Sequence, residues 1–114
     1  MPTHIYHLTT PDLWDAAQAA GEYRAPSLAA EGFIHASTIE QLGRSANRFY
    51  ARLVSVIVLK VAVERIRPRL AWEDSPHSAD PFPHLYGPLN LDAVEAVWTW
   101  EKAGAAFRVD DLGV

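Results

Sequence analysis

Residues 81–89 read PFPHLYGPL, and they restrict the backbone more than any other stretch of this chain. Proline lacks an N–H and has a locked φ, while glycine admits turns that other residues resist. The stretch is therefore expected to lie outside helices and outside the middle of a sheet. With its neighbours it forms DSPHSADPFPHLYGP (74–88), fifteen residues without helical or strand periodicity. A loop of that length in a small domain is usually functional or disordered, and the aromatic content here argues for order. A proline-stiffened loop lowers the cost of ordering a binding group. His84 and Tyr86, two positions apart, point the same way if the segment is extended.

The flanking segments read more conventionally. HIYHL (4–8) has the composition of a strand. TTPDLWDAAQAAG follows, with Thr10 as N-cap, Pro11 at the first helical position and Gly21 as terminator. Leu13, Trp14, Ala17 and Ala20 would supply its buried face. RAPSLAAEG is a connector with room for one helical turn, and FIHAS (33–37) a second strand. Thr38 and Gln41 make a capping-box pattern opening a helix through Leu53, with Ile39, Leu42, Ala46, Phe49 and Leu53 at helical spacing. VSVIVLKV (54–61) is β-branched and nearly continuous, as in a strand buried on both faces. LAWE (70–73) is a short strand. VEAVWTWE (94–101) alternates, with Val94, Ala96, Trp98 and Trp100 on one side; AAFRV is a further candidate strand. The expected fold is a single small α+β domain over residues 1–114, mostly antiparallel, with about five strands and two main helices.

The 114 residues include no cysteine, which removes disulfides, thiolate ligands and a cysteine nucleophile. The start shows no basic segment followed by an apolar run, and LVSVIVLKVAV (53–63) is too short to span a bilayer. A cytoplasmic protein that does not enter membranes is the expectation. Net charge is −4, but residues 41–72 hold seven basic groups against one acidic. Arg44, Arg48 and Arg52 would line one helical stripe. Such a region is either a solvated face or an anion site.

Within GFIHAST (32–38), His35 and Ser37 share a strand face, and Thr38 stands where a helix begins. A helix start favours anions. Glu73 is a candidate general base or a partner that orients a histidine, and Trp72 a candidate stacking surface. Glu101 is a rival carboxylate, and His7 could join the same cleft. His4 and His77 are expected to be simply exposed. His4 and His7, three apart on a strand, point to opposite faces and cannot chelate together. A His35–Glu73–His84 metal site is chemically possible but has no spacing behind it, so no metal is assigned. Ser37 and His35 lie roughly 6–7 Å apart along one strand, too far for a nucleophile–base contact.

GFIHAST, LAWE, FPHLYGPLNLDAV and the opening IYHLTTPDLWDAAQAAGEY together resemble the bacterial family called domain of unknown function 952, over Ile5 to about Trp98. That family is grouped with the ADP-ribosyltransferase-like superfamily, which binds NAD or a related 2′-phosphate intermediate between two small sheets. The resemblance implies His7 or His35 holding the ligand, Ser37 on the ribose side, and Glu73 or His84 in the third role. The implied ligand is a small molecule, with phosphate-bearing ones and NAD as substrate foremost. The candidate catalytic residues are thus His35, Glu73 and His84; the candidate binding residues are His7, Ser37, Thr38, Arg44, Trp72 and Tyr86. A non-catalytic metabolite-binding module using the same cleft is the alternative. A nucleic-acid-binding role for the basic region is disfavoured by overall acidity.

Overall fold

The computed structural model describes residues 2–76 and 78–112, so the expectation for His77 lies outside the described residues. β1 (His4–Thr9) leads into α1 (Pro11–Ala20). The Thr10 side chain accepts from Leu13 N, and Gly21 closes the helix in the left-handed region, at φ 84°. Within α1, Leu13 and Trp14 are half-buried and Ala17 is buried, but Ala20 is exposed. The expected connector contains a short helix, α2 (Pro26–Glu31), after the two-residue strand β2 (Glu22–Tyr23). β3 is only Ile34–His35, and Ser37 adds an isolated bridge to Tyr6.

α3 (Ile39–Phe49) carries the full capping box of Thr38 and Gln41. Its buried stripe is Leu42 and Ala46, while Phe49 and Leu53 are exposed. The helix stops at Tyr50, so the apolar repeat does not run on to Leu53 and Arg52 leaves the stripe of Arg44 and Arg48.

β4 (Ser55–Ala62) is the centre of an antiparallel sheet ordered β1-β4-β8, where β8 is Val94–Glu101. Both faces of β4 are buried, as its composition requires. Val56 and Val58 meet Tyr6, Leu8, Leu42, Ala46 and Trp100. Ile57, Leu59 and Val61 meet Ile5, Tyr23, Ile34, Leu85 and Leu89. A bulge between Lys60 and Val61 puts Val94 opposite Val61, so Val94 packs on the second of these clusters rather than with Trp98 and Trp100. β7 (Leu89–Asn90) pairs with β2.

The third sheet, β3-β6-β5, corrects the reading of the proline-rich segment. β5 (Arg69–Ser75) and β6 (Ser78–Tyr86) form a hairpin, and β6, containing Pro81 and Pro83, is the central strand. Backbone direction explains why this is possible. The Pro83 carbonyl accepts from Ala36 N at 3.0 Å, so residue 83 directs its polar groups away from β5. By the two-residue period Pro81 does the same, and its carbonyl accepts from Gln41 Nε2 at 2.9 Å. Both missing N–H groups therefore lie on the side where β3 has already ended, and the ladder to β5 loses no donor.

The described strands number eight and the α-helices three, more than expected, because the short β2, β3 and β7 exist only through their partners. The tail is not a strand. Ala103 and Ala106 form an isolated bridge, and Val109–Leu112 is a 3-10 turn. Asn47 holds this tail, accepting from Phe107 N at 2.7 Å and donating to the Phe107 carbonyl at 3.0 Å. Among the described residues, no helix is long and apolar enough to cross a membrane.

Candidate functional site

Pairing of β3 with β6 sets His35 directly opposite His84. The two rings meet edge to face with centroids 5.1 Å apart. Phe33 braces both, stacked on His84 at 4.2 Å and edge-on to His35 at 4.7 Å. Each imidazole is also fixed at one nitrogen. His84 Nδ1 lies 2.8 Å from Glu73 Oε1, and His35 Nε2 lies 3.0 Å from Glu31 Oε2. A carboxylate only accepts, so these nitrogens carry the protons.

Glu73 takes a second donor, because the Tyr86 hydroxyl bonds to the same Oε1. The Arg69 guanidinium covers the Tyr86 ring at 4.1 Å. Register explains the grouping: Arg69, Ala71 and Glu73 pair with Tyr86, His84 and Phe82, so all six share one face of the hairpin. The Tyr86 hydrogen bond, then that of His84, holds the Glu73 carboxyl below the usual carboxylate range. The same bond to Glu73 raises the Tyr86 phenol.

His7 reaches this region from β1. Its Nδ1 donates to the His35 carbonyl at 2.5 Å, and its Nε2 is 2.7 Å from the Tyr23 hydroxyl. Tyr23 shares its proton with Thr9 Oγ1, 2.8 Å away. Burial lowers the His7 pKa to about 4, the bond to His35 offsetting only part of the effect. His7 is therefore neutral at pH 7, and burial likewise pushes Tyr23 up to about 12.

These groups open onto a cleft of about 900 Å³. His7, His35, Ser37 and His84 line it, with Arg44, Ser45 and Arg48 from α3 and Glu31 from α2. Tyr6, Tyr50, Phe49 and Phe82 add aromatic surface, and the hairpin tip Asp74–Pro76 forms its outer edge. Arg44 reaches that hairpin through Ser78 at 3.4 Å. A separate depression of about 340 Å³ beside Trp14 and Leu91 is a shallow apolar dent with Glu95 as its one ionisable lining group, and has no convergent chemistry.

Five of the nine candidate residues thus share the cleft: His7, His35, Ser37, Arg44 and His84. Glu73 and Tyr86 stand behind His84. Ser37 is buried and bonded to Ser45 at 3.0 Å. Thr38 is occupied as the cap of α3. Trp72 lies on the other face of β5, packed against the core. Glu101 ends β8 in a different sheet, and His4 is not simply exposed but sits 2.6 Å from Glu95. No three His, Asp or Glu side chains among the described residues converge as a metal-binding set. The basic groups of 44–69 divide, Arg44 and Arg48 lining the cleft while Arg67 pairs with Asp92 and Arg69 with Tyr86. Residue-level reading passed over Tyr23, Glu31 and Ser45, while the two-residue strand period had already put Phe33 on the face of His35 and Ser37.

A family model described as Protein of unknown function (DUF952) matches residues 8–97. The crystal structure of CC0527 from Caulobacter crescentus is similar over 96% of this chain and 97% of that one, at 30% identity and a TM-score of 0.87. The solution NMR structure of CC0527 gives a TM-score of 0.81 at 30% identity, covering 97% of each chain. No curated protein matches the chain.

Proposed function

We propose, from the premise that this chain belongs to the family Protein of unknown function (DUF952), that its cleft binds a small phosphate-bearing metabolite of nucleotide type and that histidines act on it. The observation that carries this reading is the joint presence of Arg44 and Arg48 with His7, His35 and His84 in one cleft of about 900 Å³. That volume suits a nucleotide-sized ligand. Two guanidiniums supply the charge that a phosphate needs, and paired hydroxyls at Ser37 and Ser45 add acceptors and donors. The aromatic surface of Phe49 and Tyr50 suits a planar base. An ADP-ribosyltransferase-like relationship is part of this reading, and NAD is the first ligand to test.

A thermal-shift screen against NAD, ADP-ribose and nucleoside monophosphates tests it, with the Arg44→Ala/Arg48→Ala double variant in parallel. Ligand at 100 times its Kd stabilises the fold by about 2.7 kcal/mol. The expected result is a shift for phosphate-bearing compounds that the double variant loses and that salt weakens. No shift with any of them sinks the reading. A non-catalytic metabolite-binding role is favoured by one detail: the Glu73 carboxylate is engaged by two donors and stands behind His84, rather than presented to a sugar. Binding without turnover of any bound compound would support that role.

A further inference from the structure

The cleft's most specific feature is its pair of oriented imidazoles. Glu73 fixes His84 at Nδ1 and Glu31 fixes His35 at Nε2, so the opposite nitrogens, Nε2 of His84 and Nδ1 of His35, remain for chemistry. The rings stand 5.1 Å apart, a spacing that lets two nitrogens reach different oxygens of one tetrahedral centre. Two arginines of α3 line the same cleft. Three other routes are closed. The chain has no cysteine, and Ser37 is buried with its hydroxyl bonded to Ser45. Glu73, with two donors on one oxygen, is not a free nucleophile.

Resting on the reading above, we infer that this cleft hydrolyses a strained cyclic phosphodiester on a ribose diol, with His84 and His35 as the proton-transferring pair. The class of substrate follows from the means available. A pair of imidazoles without a covalent nucleophile contributes a moderate rate factor, about 10²–10⁴-fold per general acid or base. That suffices for a five-membered cyclic phosphate, which ring strain already activates. In the step, a water oxygen bonds phosphorus while His84 Nε2 takes the water proton. The phosphorus–oxygen bond to one ribose oxygen breaks, and His35, which enters the step as the doubly protonated imidazolium with Nε2–H on Glu31, gives that oxygen its Nδ1 proton. The product is a ribose phosphomonoester, and exchange with solvent returns each histidine to its starting state. Arg44 and Arg48 offset the charge on the phosphoryl oxygens. Glu73 and Glu31 are positioning residues that act through the rings. The groups facing the pair are Glu73 and Arg69 on β5, Tyr86 on β6, Glu31 on α2 and His7 on β1.

The test uses the full chain with 2′,3′-cyclic AMP, followed by phosphorus NMR in excess EDTA, alongside calorimetric binding of 2′-AMP. The expected result is EDTA-insensitive conversion to the monoester, with a bell-shaped pH dependence of kcat/KM. His84→Ala and His35→Ala should each lose about 10²–10⁴-fold in kcat while keeping 2′-AMP affinity. Glu73→Gln should lower kcat, leave KM unchanged and displace one limb of the pH profile, which a loss of folding alone would not do. Binding of 2′-AMP with no turnover of the cyclic compound overturns the inference and leaves the binding cleft standing. Turnover that EDTA abolishes, or that both histidine variants retain, overturns it equally. No binding of 2′-AMP and no turnover would remove the phosphate-ligand reading along with it.

Discussion

Acidifying the protein from pH 7 to pH 5 probes the wall of the cleft through one side chain. His7 is buried, donates to the His35 carbonyl and faces the Tyr23 hydroxyl, and its pKa is lowered from 6.5 to about 4. The unfolded chain takes up a proton in this range that the folded chain refuses. Stability from this group is therefore complete above pH 6.5 and falls as pH drops from 6.5 toward 4. The full displacement, about 2.5 pK units, corresponds to roughly 3.4 kcal/mol. Between pH 7 and pH 5 the lost share is about 2 kcal/mol, or a fall in Tm of about 8 °C for a domain of this size. Glu73 and Asp92, both shifted below the usual carboxylate range, contribute mostly at lower pH, and comparison with a His7 variant cancels what the other histidines contribute to both proteins. Urea denaturation at several pH values, with His7→Gln alongside, measures the effect. Glutamine can still donate to the carbonyl but does not titrate, so the variant's stability should change by about 2 kcal/mol less across the window. Parallel pH profiles for the two proteins would refute the reasoning. If the variant does not fold, proton NMR of native His7 decides the matter: an Cε1–H titration midpoint at 6 or above contradicts a buried neutral ring.

The account of β6 predicts an asymmetry between neighbouring positions. Pro83→Ala should change stability by less than about 1 kcal/mol, whereas Phe82→Pro should cost about 1–3 kcal/mol beyond Phe82→Ala, because only residue 82 donates toward β5. Chemical denaturation of the three variants compares them. Asn47→Ala should cost about 2 kcal/mol through loss of its bonds to Phe107, with hydrogen exchange speeding up selectively around Phe107–Leu112.

Elements with a local cause were legible in the chain. Thr10 and Thr38 as caps, Pro11 at the start of α1 and Gly21 at its end act within one helical turn, so the sequence displays them whole. β4 was legible because burial on both faces demands an unbroken apolar run. β6 was not, since Pro81 and Pro83 oppose a strand in general but cost the β5 ladder nothing when their missing donors face away from it. What lies on that side is set by where β3 stops, which no residue of β6 encodes. Phe49 and Leu53 continued the helical spacing, yet Phe49 is the last residue of α3, Leu53 lies beyond its end, and both are exposed.

Of the candidate site, the sequence by itself supplied the chemical kinds: histidines at 7, 35 and 84, a carboxylate at 73, a tyrosine at 86 and the Arg44–Arg48 stripe. These stand out because each residue type has a narrow range of chemistry and each local period fixes a shared face. Tertiary structure alone decided which of them meet. Residues 35 and 84 are 49 positions apart and become neighbours only through the β3–β6 register. A shift of one residue would have turned His84 to the core and Leu85 to the cleft. Glu31, Phe33 and Tyr23 gained their parts the same way, through ring contacts and hydrogen bonds across elements. Side-chain chemistry is a property of the residue, but the geometry that makes it a site belongs to pairings between distant strands.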